Sequence, residues 1–485
     1  MSITGAMSNA LSGLTVTARS VENTSNNVAN ALTEGFARRE LEISARNIGN
    51  DGQGVRVVGI NRMVNMTLVG DRRVADATNG EKETLSTFFN DLGTALGETG
   101  EGSLLGRISS FESALSRAAS RPESAARQAD VLSAAKALAT GINEASQAVQ
   151  DARTQADADI AAQVDKLNTT LSRVKDLNTQ ITAVRTTGRD TSALEDERQA
   201  LVDSIAGIVP IREVQRENGQ IALFTTGGPA LLDGSVADIG FSPTPVVTPY
   251  MSLTSVPPLS GLTLNGKPIS VSGEASLVGG GSLTAAFAVR DELAPAQQTQ
   301  LDAVARNLIE RLSDPAVDTT LAAGESGLFN DDGLDFVAAN ELGLAGRISV
   351  NAAVDPDQGG SLWRLRDGVK AAVESTATGD ATLLNALGST LSTRSAAASG
   401  PHLGSYSFSG LATQAVSSVS TAAEAADQIA SFASSRRDEL HALELADGVD
   451  TDQEMEHLLR LQEAYAANAK VISACDDLLN HLLEM

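Results

Sequence analysis

The sequence is poor in cysteine and aromatics. One cysteine, one tryptophan and three tyrosines stand among 485 residues, and aromatics make up 3% of the chain. A lone thiol, Cys475, excludes a disulfide framework and a cysteine-based zinc site. Its place on a heptad seam reads as a small buried apolar group. The four histidines, His402, His441, His457 and His481, fall in no metal-binding spacing. His457 and His481 read as surface or interface groups of the last helix. Basic charge is also scarce: 36 Lys and Arg against 61 Asp and Glu give a net charge of −25. Such a chain repels nucleic acid and anionic membranes. No apolar run reaches membrane-spanning length. The opening "MSITGAMSNALSGL" has no basic residue before its apolar part, which Ser8, Asn9, Ser12 and Gly13 interrupt. It is no secretory signal peptide, so any export is expected without a cleaved leader. "GGGS" at Gly279–Ser282 lacks the following Lys of a phosphate loop, and no G-x-S-x-G occurs. "DGVDTDQE" at Asp447–Glu454 lacks the sixth-position glycine of a calcium loop, and its acids suit helix capping instead. No catalytic, cofactor-binding or metal residue is expected.

What the chain has in quantity is alanine, serine, leucine and threonine, a composition suited to long helices. Met7, Leu11, Leu14, Ala18, Val21, Ser25 and Val28 follow strict 4-3 spacing, a heptad seam with one polar defect. Near its end stand Asn26, Asn27 and Asn30, poor helix formers on a helix that could bury a clean seam. Either they fray a surface end, or their amides meet polar partners on another chain and fix register. Thr33–Phe36 reads as a type II turn with Gly35 at positive φ. Leu41–Ser44 and Gly54–Arg62, joined by "GNDGQG", predict a β-hairpin. The last helix mirrors the first. Thr451–Glu454 reads as a capping box, and Leu458, Leu461, Tyr465, Asn468, Ile472, Cys475, Leu479 and Leu482 continue in 4-3 spacing. Seams this narrow leave both end helices marginal alone, ordered when neighbouring copies cover them.

Between the ends, residues 65–206 read as mostly helical, with one helix starting at Pro122–Glu123 and another stopped by Gly188. Ile211–Phe224 and Ala230–Leu232 read as strands. A stretch with six prolines and an "NG" turn follows. "SRRDEL" at Ser435–Leu440 reads as a solvated helix face. The fold class expected is mainly α with β. Coiled-coil-like helices of residues 1–50 and 445–485 pair as a terminal unit. A long-helix middle domain with a β-hairpin spans residues 51–239 and 279–444. A small β-rich insertion occupies residues 240–278.

The segment "SGLTVTARSVENTSNNVANALTEGFARRE" resembles the N-terminal signature of bacterial flagellar axial proteins: an S-G-L start, an N-N-[IV]-A-N core and a T-x-G-[YF] turn. "GQGVRVVGINR", "RPESAARQADVLSAAKALA", "DLNTQI", "GRDTSALEDERQALVDSIAGIVPI", "GGGSLTAAFAVRDELAPAQQTQLDAVARNL" and the C-terminal "GVDTDQEMEHLLRLQEAYAANAKVISACDDLLNHLL" resemble, in order, the hook-associated branch of that family. Glu34 replaces the usual turn proline, Phe36 the usual tyrosine, and the insertion is short. The resemblance implies a structural, non-enzymatic subunit, exported by the flagellar type III apparatus and self-assembling at the distal end of the hook as the hook–filament junction. Its implied partners are copies of itself, hook protein below, the next junction protein or filament above, and an export chaperone at the C-terminal segment, with no cofactor. The interface residues expected are Met7, Leu11, Leu14, Val21, Asn26, Asn27, Val28, Asn30, Gly35, Phe36, Leu458, Leu461, Tyr465, Asn468, Ile472, Leu479 and Leu482. The alternatives are a hook or rod protein, or a secreted axial protein carrying an enzymatic insertion.

Overall fold

The chain begins and ends in helices that pack together. The computed structural model describes residues 3–33, 35–48, 51–97, 100, 102–273, 276–402 and 404–484. Helix α1 (Ile3–Ala29) leads through the Thr33 turn into a hairpin of β1 (Arg38–Ile48) and β2 (Asp51–Met63). The Phe36 amide donates to the Thr33 carbonyl at 3.1 Å, and Gly35 takes φ +77°. That is the expected turn, although Glu34 lies outside the described residues, as do the hairpin's Gly49 and Asn50. Strand pairing is antiparallel from Arg38↔Met63 to Ile48↔Asp51, much longer than the alternating stretches suggest, with register shifts after Glu42 and Ala45.

The helical region opens with α2 (Met66–Leu96), capped by the Asn65 side chain, which accepts from Leu68 N. Then come α3 (Leu104–Ala119), α4 (Ala125–Thr186) and α5 (Ser192–Ala206). Helix α4 runs for 62 residues because buried side chains recur every three or four positions from Gln128 to Ile181. It begins after Ser124, not at Pro122–Glu123 as the sequence suggests. The Pro122 carbonyl instead accepts from the buried Gln128 side chain at 2.6 Å, which fixes the turn before the helix. Gly188, at φ +70°, ends the helical stretch as expected.

A four-stranded antiparallel sheet follows: β3 (Ile211–Gln215), β4 (Ile221–Thr225), β5 (Ala230–Asp233) and β6 (Ser235–Val236). The expected strand Ile211–Phe224 is thus two strands around a turn at Glu217–Gly219. Three two-residue strands form a second sheet: β7 (Ile239–Gly240), β8 (Thr263–Leu264) and β9 (Lys267–Pro268). Asn265 and Gly266, both at positive φ, supply the "NG" turn between β8 and β9. Helix α6 (Ser282–Ala288) passes through a π-helical turn at Val289–Leu293 into α7 (Ala294–Leu312). Pro295 has no amide to give the preceding turn, which accounts for the widening. Short elements complete the region: β10 (Phe329–Asp331) with β11 (Ile348–Val350), α8 (Arg364–Asp367), α9 (Thr382–Ser392), and β12 (Ser395–Ala396) with β13 (Ser405–Tyr406). Helix α10 (Phe408–Asp447) then returns along α2, and α11 (Thr451–Leu483) lies along α1.

Two apolar cores share α4. The first packs Val131–Val149 of α4 against α3, α7, α9 and the start of α10, with Phe111 and Phe329 edge to face at 5.8 Å. The second packs Ile160–Val174 against α5, α6 and the four-stranded sheet. The helical stretches, the hairpin and the small sheets make the fold mainly α with β, as expected from the sequence. Among the described residues no helix is long and apolar enough to cross a membrane.

Candidate assembly surface

The two terminal helices and the hairpin form one cluster, and its polar chemistry concentrates at the hairpin base. Asn27, only 1% exposed, donates through Nδ2 to the Arg39 carbonyl at 2.9 Å and accepts the Arg39 amide on Oδ1 at 3.0 Å. Its carboxamide thereby acts as a further rung on the edge of β1. Asn23 Nδ2 reaches the same carbonyl at 2.7 Å. Asn26 and Asn30 bond each other across one helical turn, at 2.7 Å. Asn27 therefore does not fray at a surface end: within the subunit its carboxamide is taken by its own hairpin.

Three ion pairs hold the hairpin to distant parts of the chain. Arg38 meets Glu454 of α11 at 2.7 Å, and Glu454 is 2% exposed. Arg39 and Arg62 converge on Asp196 of α5 at 2.7 and 2.6 Å, and Arg62 also donates to Gln199. Arg39 stacks its guanidinium 4.9 Å from the Phe36 ring centre. Gly35 passes so close to α5 that a Cβ there would meet Ala200 at 3.2 Å. The capping box at Thr451 is corrected as well. Asp450 caps α11, accepting from the amides of Asp452 and Gln453, and Glu454 is committed to Arg38.

Behind the hairpin base a second network joins α2, α5, β3 and α10. Arg72 pairs with Asp76 at 2.9 Å, with Asp203 at 2.7 Å and with Glu444. Arg73, 1% exposed, pairs with Asp203 at 2.6 Å and Glu213 at 2.8 Å. Burial alone lowers both guanidinium pKa values, but the surrounding carboxylates outweigh it and raise them. Burial pushes the Asp76 carboxyl above the usual range, with Arg72 opposing. A cleft of about 500 Å³ opens here, lined in part by Gly35, Phe36, Asp203, His441 and Glu444.

The expected seams are only partly those that bury. On α11 the line is as read: Leu458, Leu461, Asn468, Ile472 and Leu479 are half-buried and Cys475 is buried, while Tyr465 and Leu482 are exposed. On α1, Met7, Leu14, Val21 and Val28 are half-buried, but Leu11 is 58% exposed. The deepest line is instead Ala10, Thr17, Thr24 and Asn27. Helix α1 sits between α11 and the hairpin, so the stripe facing both must be small or able to bond backbone. Gly13 sits against the Asn468 side chain, where a Cβ would come within 2.9 Å, and Ser12 Oγ accepts the Val55 amide at 3.2 Å.

The sequence reading passed over Asn23, Arg38, Arg39, Arg62, Asp196 and Glu454. A signal for Asp196 was present in "LEDERQA". Its neighbour Arg198 donates to Asn178 of "DLNTQI" at 2.8 Å, and Asn178 in turn holds Ile221 of β4, so two quoted motifs meet in space.

Residues 89–324 match the family model described as the flagellar hook-associated protein FlgK helical domain. Residues 446–485 match the flagellar basal body rod FlgEFG protein C-terminal model. Residues 89–324 are thus a flagellar hook-associated helical domain. The chain is similar to flagellar hook-associated protein 1 of Bacillus subtilis, 25% identical over 217 residues, covering 42% of this chain and 43% of that protein. It is similarly 25% identical over 242 residues to the Escherichia coli protein of the same name, covering 48% of this chain and 43% of the relative. The chain thus aligns with less than half the length of these relatives. The solved structure of the flagellar hook junction protein FlgK from Burkholderia pseudomallei matches over 54% of this chain and 46% of its own, at 18% identity and a TM-score of 0.43.

Proposed function

We propose that this chain is a structural subunit of the bacterial flagellum that self-assembles at the distal end of the hook and forms the hook–filament junction. It reaches that place through flagellar type III export, with a chaperone on its C-terminal segment, and contacts copies of itself, hook protein below and the next junction protein or filament above. The observation that carries this reading is the pairing of α1 with α11, which leaves apolar side chains outward: Leu11, Leu459, Val471, Leu478 and Leu482 are all exposed. A row of apolar groups on paired terminal helices suits coverage by sister subunits. The match to the hook-associated helical domain supports the junction rather than hook or rod. On this reading the half-buried seam residues and Asn27 hold each subunit's ends together, and the outward residues meet neighbours.

The experiment is deletion of the gene in its own organism, followed by electron microscopy. A junction subunit leaves complete hooks without filaments, and the intact gene restores filaments. A hook or rod protein would leave no hook. Charged substitutions on the outward face, Leu459→Glu with Leu478→Glu, are expected to give a secreted chain that no longer restores filaments.

A further inference from the structure

A groove of about 660 Å³ lies between α2, α4 and α6, away from the terminal helices. Phe88, Leu92, Ala156 and Val289 give it an apolar floor. Glu83 and Asp91 from α2 and Asp151 and Asp159 from α4 form its rim, and no lysine or arginine lines it. Glu83, Asp151 and Asp159 accept from the neutral amides of Asn79, Gln147 and Gln155. Among the described residues none of the four carboxylates is in an ion pair. An acid-rimmed groove on a chain of net charge −25 repels most of a sister subunit's surface, so its occupant must bring positive charge.

The tip of the hairpin has that chemistry. Arg46 and Arg56 are exposed there and enter no ion pair among the described residues. Ser44 lies opposite Arg56, and Val58, two residues on at the register shift between Glu42 and Ile43, is 51% exposed. Another cationic, apolar surface, on α10 beside exposed Phe432, is already neutralised: Arg436 pairs with Glu439 and Arg437 with Asp438.

Tip and groove occupy different parts of one subunit. The hairpin base is fixed at Asp196, and its far end lies along α1 at Ser12. Helix α2 leaves from the same base and reaches the groove 14 to 26 residues on, between Gly80 and Leu92, about 21–39 Å along its axis. A tip-to-groove contact between copies is therefore head-to-tail, the kind that propagates into an open array instead of closing a dimer. We propose that the groove receives the hairpin tip of a second copy, Arg46 and Arg56 meeting the acidic rim and Val58 the apolar floor. This deepens the self-assembly reading and rests on it.

The test uses a strain lacking the gene, complemented with the full chain carrying Cys475→Ser, Arg56→Cys and Asp151→Cys. Isolated filaments are oxidised and run without reductant. A ladder of multimers that needs both introduced cysteines is expected. Filaments without a ladder overturn the contact, and so does a product linking Asp151→Cys to a protein of another mass. A charge exchange covers the case in which the cysteine background fails to assemble. Arg46→Glu with Arg56→Glu should lower filament number about tenfold, and adding Asp91→Lys with Asp151→Lys should restore most of it. Failure of that rescue also overturns the contact. If the unaltered chain restores no filaments, the functional reading falls instead.

Discussion

Asn27 is the residue at which a helix and a hairpin become one object. Its carboxamide replaces a strand neighbour for Arg39; without it the Arg39 amide would lose this acceptor, while the carbonyl would keep only Asn23. Asn27→Ala should cost about 2–3 kcal/mol locally, which hydrogen exchange would read as a 30- to 150-fold loss of protection in β1. Asn26→Ala and Asn30→Ala remove only an exposed pair and should change protection there little. The three asparagines looked equivalent in sequence because a bond from side chain to distant backbone leaves no residue type at the far end to recognise. Asp302 is another such case. It is 2% exposed and accepts the amides of Gly343 and Ala345, each at 2.8 Å, and the Gln298 side chain at 2.9 Å. Burial nevertheless pushes its carboxyl up to about 6. The folded state then holds a proton that the unfolded chain releases near the ordinary carboxyl value of 3.8. This group favours folding most below that value, and its contribution is lost as pH rises through about 6. Urea midpoints of the full chain and of Asp302→Asn should therefore diverge in favour of the wild type as pH falls from about 7 to 5, by up to ~1.4 kcal/mol per pH unit. A difference that stays flat over that range rules the effect out.

At the scale of elements, periodicity made α4 and α11 legible, since each repeats buried positions over many turns. The clamp on the proline-rich segment was not, because it is built from charges. Arg290, fully buried, pairs with Asp157 at 2.6 Å, donates to the Ser260 carbonyl at 2.9 Å and lies over the Phe287 and Phe241 rings. Asp157 accepts the Thr244 amide at 2.6 Å. Arg153 donates to the carbonyls of Thr248 at 2.9 Å and Met251 at 2.6 Å, and with no carboxylate in contact its pKa is lowered by burial. Two short strand pairs could not hold residues 241–262 by ladder bonds alone, so helix α4 does it with side chains. Asp157→Asn removes one of the two carboxylates on Arg290, leaving Asp291 at 2.9 Å, and weakens the acceptor of the Thr244 amide. It should destabilise the protein by about 1–3 kcal/mol in urea unfolding and open residues 242–260 to protease first. Equal cleavage in both proteins would show that the clamp does not hold the segment.

At the scale of the whole molecule, stability is distributed unevenly. Both apolar cores lie in the region built on α4, whereas among the described residues of α1, the hairpin and α11 the buried apolar side chains are only Ala10, Ala37 and Cys475. The terminal helices are thus tied to the rest largely by the mostly buried ion pairs of Arg38, Arg39 and Arg62, and not by an apolar core. Sheltered pairs of this kind give back much of their attraction as desolvation cost, so each contributes little net. Heptad spacing in the sequence located these helices, but it did not show how thin their core is, because burial depends on what covers the second face. Amides of Met7–Val28 and Leu458–Leu482 in the free monomer should then exchange at least about 100-fold faster than those of Val131–Ile181 in α4, a gap of ~2.7 kcal/mol. If sister chains cover Leu11, Leu459 and Leu478 as proposed, the same amides should become protected in the assembled structure. Equal protection of ends and α4 in the monomer would mean that the subunit folds completely before it assembles, and the outward apolar row would then need another explanation.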